Sequence, residues 1–267
     1  MHDKAFTFQT LRPDTIIDGL FDLGMRVDSG LTPLNSYENR VYQFQDEERH
    51  RYVVKFYRPE RWSAEQILEE HQFAHQLVED EVPVAAPLLF NDSTLHQHQG
   101  FYFAVFPSLG GRQFEADNLD QMEWVGRYLG RLHQTGCKQR FTARPEIGVQ
   151  EYLLEPRQVF EQATLIPSGL KADFLKATDK LIAAVMEQWH GRGNTLRLHG
   201  DCHAIEPLRA MRLVYYLAWL LRRWDDPAFP VNFPWLTGED YWRGQTSTFL
   251  EQVKVLQEPP LQLTPMY

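Results

Sequence analysis

A lysine, two acids and a serine stand in the sequence where chemistry is expected. Lys55 lies within Val53-Val54-Lys55-Phe56-Tyr57, a run otherwise β-branched and aromatic that reads as a strand. Downstream, Ser63 opens a helix, with Gln66 three residues later completing a capping box. On that helix Ile67, Glu70, Phe73 or Ala74, and Leu77 share one face by their three- and four-residue spacings. Glu70 is thus an acid on the apolar side, whereas Glu69 aligns with Gln66, Gln76 and Asp80 on the wet side. An acid so placed requires a cation or hydrogen-bond donors, because burying a lone charge is costly. A strand lysine paired with a helix glutamate about fifteen residues later is the ion pair that holds the α- and β-phosphates of ATP during phosphoryl transfer. Taken alone, Lys55 reads equally as a strand lysine turned to solvent.

The second acid is Asp201, in His199-Gly200-Asp201 directly after the short strand Leu196-Arg197-Leu198. At the end of a strand such a carboxylate can accept or orient the proton of an attacking hydroxyl. By itself it also reads as a turn residue bonding its own backbone. Ser36 lies in Asn35-Ser36-Tyr37-Glu38-Asn39-Arg40, where a hydroxyl and a backbone N–H could meet a phosphate oxygen. That stretch lacks a glycine-rich loop and is compatible with an ordinary polar turn. The order of strand lysine, helix glutamate, hinge, helix and His-Gly-Asp says more than any one part.

The elements that must position these groups fall into two regions. Residues 40–45, 52–57 and 101–106 read as strands, the first two joined by the polar stretch 46–50 as a hairpin. Pro107-Ser108-Leu109-Gly110-Gly111 reads as a hinge, giving an expected division into 1–108 and 109–267. Beyond it the pattern is helical. Leu119, Met122, Val125, Leu129 and Leu132 recur at helical spacing up to Gly136, and Phe174, Thr178, Leu181, Val185 and Trp189 form a second stripe. Further helices follow Pro207 and Gly238. The expected class is α+β, a small β-rich lobe with one key helix and a mainly helical lobe.

Composition narrows the function. The 267 residues are 43% hydrophobic and 24% charged, as in ordinary globular proteins. A net charge of −9, from 27 basic and 36 acidic residues, argues against nucleic acid as a partner. The longest apolar run, 213–221, is far short of the roughly 20 residues that span a bilayer, and no signal peptide is visible. Two cysteines suggest a reducing compartment, so a cytoplasmic, monomeric protein without membrane contact is expected. His71 and His75 have helical zinc-ligand spacing but are expected at the surface. His199, Cys202 and His203 are too tightly packed in one turn to share a metal easily.

On these motifs the chain resembles bacterial serine/threonine protein kinases of the aminoglycoside phosphotransferase and choline kinase type. Residues 5–11, 34–42, 53–60, 129–133, 198–203 and 209–216 carry the resemblance. It implies a two-lobed kinase fold, ATP and Mg²⁺ as cofactors, a protein serine or threonine as acceptor, and a role in a bacterial stress response. It further implies Asp201 as catalytic base, Lys55 and Glu70 as the phosphate-positioning pair, and Ser36 at the nucleotide.

One departure stands out. In proteins of that type an Asn five residues after the catalytic Asp binds Mg²⁺, and a following hairpin ends in a second metal-binding Asp. Here position 206 is Glu, and no Asp occurs between Ala204 and Asp225. The expectation is an internal loss of the metal-binding hairpin, with no protein metal ligand assigned. Three functions then stand: an ATP-dependent serine/threonine kinase with impaired transfer, a pseudokinase that binds nucleotide or a partner, and a small-molecule phosphotransferase.

Overall fold

The computed structural model describes residues 8–111, 114–115, 117–189 and 206–257. They form two compact units, one up to Arg144 and one from Pro145 onward. The protein is α+β, as its sequence pattern predicts.

The first unit is built on an antiparallel five-stranded sheet of order β1-β2-β3-β5-β4. Its strands are β1 (Thr32–Leu34), β2 (Arg40–Gln45), β3 (Arg51–Phe56), β4 (His96–His98) and β5 (Phe101–Pro107). The β4–β5 connection is a two-residue turn in which Gln99 and Gly100 both have positive φ (47° and 85°). That backbone matches the right-handed twist of the strands it joins. Strand alternation then sorts side chains to two faces. Val54 and Phe56 join Phe44, Phe101, Phe103 and Val105 against Ile16 and Leu20 of α1 (Pro13–Asp22). Gly19 permits a close approach there, since a Cβ at that position would lie 3.3 Å from the His98 Cβ. On the other face Tyr57 and Ala104 pack with Ile67 of α2 (Ala64–Glu79). Lys55, between Val54 and Phe56 in β3, therefore belongs to the α2 face.

The helix α3 (Leu119–Cys137) is grouped with this unit. Its apolar stripe was expected to face a core, and only its last part does. Leu132 is buried with Phe73, Leu77 and Val82, whereas Leu119, Met122, Val125 and Leu129 are exposed, Leu119 at 78%. The sequence pattern places Gly136 just past the end of the helix, as its C′ residue; in the structure it lies inside the helix, which continues to Cys137.

The second unit is helical. It contains a π-helical turn (Gln150–Leu154), α4 (Glu155–Gln162), α5 (Ser168–Gln188), α6 (Glu206–Arg222), α7 (Ala228–Asn232) and α8 (Glu239–Gln257). The predicted stripe of α5 is buried at Phe174, Thr178, Leu181 and Val185, with Met211, Val214 and Leu217 of α6 and Trp242, Phe249 and Leu256 of α8. Trp242 is fully buried, and its indole N–H donates to the Leu236 carbonyl at 2.8 Å. Burial without that acceptor would strand a polar group. Trp219 and Trp224 are partly buried against the same core.

Candidate functional site

Residues of the first unit build the site around α2. The capping box read from the sequence is formed: the Gln66 backbone N–H donates to Ser63 Oγ at 3.2 Å, and the Ser63 N–H donates to Gln66 Oε1 at 3.0 Å. This fixes the start of α2 and so the angular position of every later residue on it. Lys55 Nζ lies 3.6 Å from Glu70 Oε1. Both side chains are about three-quarters covered, at 23% and 28% exposure. The ammonium also rests 4.6 Å from the centre of the Tyr57 ring, a cation–π contact two residues along the chain.

Glu70 has a second cation that the sequence did not reveal. Arg144 Nη1 donates to Glu70 Oε2 at 2.8 Å and approaches the Gln66 carbonyl at 3.3 Å. Its guanidinium stacks 4.5 Å from the centre of Trp62. Arg144 therefore makes the shorter contact with the shared acid.

Glu69, expected to face water, is instead an acceptor for the segment before Arg144. The Thr142 N–H and hydroxyl donate to Oε1, and the N–H groups of Ala143 and Arg144 donate to Oε2, over distances of 2.6 to 3.0 Å. Burial raises its pKa, but these donors outweigh that and hold the carboxyl below its ordinary range. The same stripe continues the attachment. Gln66 Nε2 donates to the Ala143 carbonyl and Gln76 Nε2 to Gln139 Oε1. Asp80 accepts from Lys138 and Thr135. The polar side of α2 is a docking face, not a solvated one.

Behind Glu70 lies a buried pair. Tyr57 Oη is 2.6 Å from His71 Nε2, and His71 Nδ1 is 2.9 Å from Thr94 Oγ1. Burial, with a smaller push from Glu70, raises the Tyr57 pKa. A phenol that keeps its proton donates to Nε2, so the His71 proton sits on Nδ1 and points to Thr94. Burial lowers the His71 pKa to about 4, Lys55 acting in the same sense and Glu70 against it. His71, expected at the surface, is 3% exposed: its two hydrogen bonds make burial tolerable.

Ser36 lies in the loop between β1 and β2, its hydroxyl donating to the Asn39 carbonyl at 3.0 Å. Arg58, just past β3, pins this loop. Its side chain donates to the Glu38 and Tyr37 carbonyls, and its N–H to Asn39 Oδ1. The structure thus brings Lys55 and Glu70 together, and orders the loop of Ser36 by an arginine that no local pattern marked. Asp201, with His199, Cys202 and His203, lies outside the described residues.

Among the described residues, no group of three or more His, Cys, Asp or Glu side chains is placed to hold a metal ion. Residues from Glu206 to Arg222 run as one helix, α6. That span contains no aspartate. Mg²⁺ takes near-octahedral oxygen coordination, and Asp201, the acid the resemblance sets beside it, is not among the described residues. No helix among the described residues is long and apolar enough to cross a membrane.

Comparison with known proteins adds to this geometry. The model of the APH phosphotransferase enzyme family matches residues 30–204. Stress response kinase A of Escherichia coli (strain K12) is 64% identical over 328 residues spanning the whole of both chains. Serine/threonine protein kinase RdoA of Salmonella typhimurium (strain LT2) is 62% identical over the same length and coverage. An alignment of 328 positions against 267 residues leaves at least 61 positions with no residue from this chain. Among solved structures, amicoumacin kinase hAmiN in complex with AMP-PNP, Ca²⁺ and Ami covers 87% of this chain and 73% of its own, at 23% identity and a TM-score of 0.51.

Proposed function

Since the chain belongs to the phosphotransferase enzyme family, we propose that it is a cytoplasmic nucleotide-binding protein of the serine/threonine kinase type, in which phosphoryl transfer to protein is impaired. The observation that carries the nucleotide reading is the Lys55–Glu70 pair at 3.6 Å. In this reading Glu70 holds the ammonium over the sheet, and Lys55 neutralises phosphate charge. Ser36, in the loop pinned by Arg58, supplies a polar group to the phosphates. Asp201 is the group that would accept the proton of a serine or threonine hydroxyl. The division into a nucleotide-covering lobe, 1–108, and a catalytic lobe, 109–267, belongs to the same proposal, although packing groups α3 with the first unit.

Impairment follows from the metal. The family match ends at residue 204, and in this reading the missing positions fall immediately after it, where the metal-binding hairpin is expected. Phosphoryl transfer draws on a cation that bridges the phosphates and neutralises developing charge. With Glu in place of Asn at position 206 and no Asp between Ala204 and Asp225, the sequence after Asp201 offers that cation a poor set of ligands. The names of the relatives favour a second reading, that the chain is an active serine/threonine kinase.

Thermal unfolding with ATP, with and without Mg²⁺, separates the two. Stabilisation independent of Mg²⁺ and lost in Lys55→Met is expected. Stabilisation that requires Mg²⁺, together with labelled-phosphate transfer abolished by Asp201→Ala, would establish the active kinase instead. A shift unchanged in Lys55→Met would refute the phosphate role of Lys55.

A further inference from the structure

We infer that Arg144 is a positioning residue for nucleotide phosphate, acting through Glu70 by keeping Lys55 available; this rests on the phosphate role proposed for Lys55. Glu70 is shared unequally. Arg144 holds Oε2 at 2.8 Å, a charge-assisted hydrogen bond, while Lys55 stands 3.6 Å from Oε1, within ion-pair range but too far for a good hydrogen bond. The carboxylate is thus fixed by the arginine and only lends its field to the lysine. The ammonium keeps N–H donors that a close ion pair would occupy.

Arg144 is well held for such a role. Its backbone N–H is bound to Glu69 Oε2 at 2.9 Å, so its place along the chain is set by α2 itself. Its guanidinium is carried on Trp62 at 4.5 Å and bonded to the Gln66 carbonyl at 3.3 Å. It is 20% exposed, so water screens its contact with Glu70 only partly. A planar guanidinium suits this combination of ring stacking and in-plane donation, which an ammonium cannot reproduce.

Without the guanidinium, the Glu70 carboxylate loses its 2.8 Å contact at Oε2. Lys55 is a cation already within ion-pair range, 3.6 Å from Oε1. The two then close into a direct pair, and a phosphate must break that pair before it can bind Lys55. The expected result for Arg144→Met is ATP and ADP affinity weaker by roughly tenfold, about the contribution of one hydrogen bond to a charged group. Adenosine, which has no phosphate, should bind as before. Arg144→Lys should recover only part of the loss.

The test is titration calorimetry of ATP, ADP and adenosine against the full chain and the variants Arg144→Met, Arg144→Lys, Glu70→Gln and Glu70→Gln/Arg144→Met. If Arg144 works through Glu70, its substitution has little further effect once Glu70 is neutral. Equal weakening of adenosine and ATP, or the same tenfold loss in the Glu70→Gln background, would overturn the inference. So would unchanged ATP affinity in Arg144→Met. Lys55→Met is measured alongside: if it leaves ATP affinity intact the phosphate reading itself fails, whereas its loss with an indifferent Arg144→Met sinks only the role of Arg144. Glu69 is cradled partly by the backbone N–H of residue 144, which the substitution preserves, so the variants should fold; melting without ligand checks that.

Discussion

His71 should make the protein acid-sensitive well above the pH at which carboxylates titrate. The imidazole is neutral in the folded state with a pKa of about 4, against 6.5 when exposed. Between these values the unfolded chain binds the proton and the folded chain does not. Stability therefore rises with pH through this window, at a limiting slope of about 1.4 kcal/mol per pH unit for one proton. Its contribution is complete above 6.5 and is lost progressively as the pH falls toward 4. From pH 7.5 to 5.0 the integrated loss attributable to His71 is about 2 kcal/mol. That is a large share of the roughly 5–15 kcal/mol that separates folded from unfolded states of typical domains.

The groups facing His71 are Tyr57 and Thr94 by hydrogen bond, and Glu70, Lys55, His75 and His96 by charge. His96 is also shifted downward, mainly by burial, so the whole-protein slope contains more than one residue. The difference between the parent and His71→Gln isolates the term. Urea unfolding at pH 7.5 and 5.0 should show the parent losing about 2 kcal/mol more than the variant. Histidine resonances followed by NMR supply a measurement that needs no variant: the His71 ring should stay neutral down to about pH 4. A His71 that titrates near 6.5, or a parent and variant with parallel pH dependence, would refute the reasoning.

Two further outcomes follow from the packing. Glu69→Ala removes the acceptor for three backbone N–H groups and one hydroxyl. Amide hydrogen exchange at Thr142, Ala143 and Arg144 should then accelerate markedly, with a stability loss of about 1–2 kcal/mol because the cluster is partly solvated. Trp242→Ala empties the centre of the helical unit and should cost about 3–5 kcal/mol in denaturant unfolding, whereas Trp242→Phe should cost clearly less.

The elements that the sequence revealed are those whose signal is local. The strand of Lys55 and the helix of Glu70 each follow from a short periodic pattern, and the capping box sets the phase of the helix. Their pairing was legible because an apolar-face acid and an apolar-strand lysine each need the other. Arg144 was not legible: it meets Glu70 across 74 positions of chain, and no periodicity links them. Polarity misled at Glu69, since a row of polar residues looks the same whether it meets water or a polar partner segment. Apolarity misled at α3, where helical spacing of Leu119, Met122 and Val125 predicted burial that the folded unit does not provide. His71 combined both difficulties, for its burial depends on Tyr57 and Thr94 from other elements. For α1 the local signal is a single residue, Pro13 at its first turn.

The attachment of residues 135–144 to α2 also gives the molecule a built-in handle. Thr135 and Lys138 are bound to Asp80 at the end of the helix, and Thr142 to Arg144 are bound to Glu69 nearer its start. Cys137 sits between the first two of these anchors and is an exposed free thiol. A displacement of α2 large enough to alter the Lys55–Glu70 separation must carry this tract with it. With Cys202 replaced by serine, a fluorophore or spin label on Cys137 would ride on the tract tied to the helix that holds Glu70.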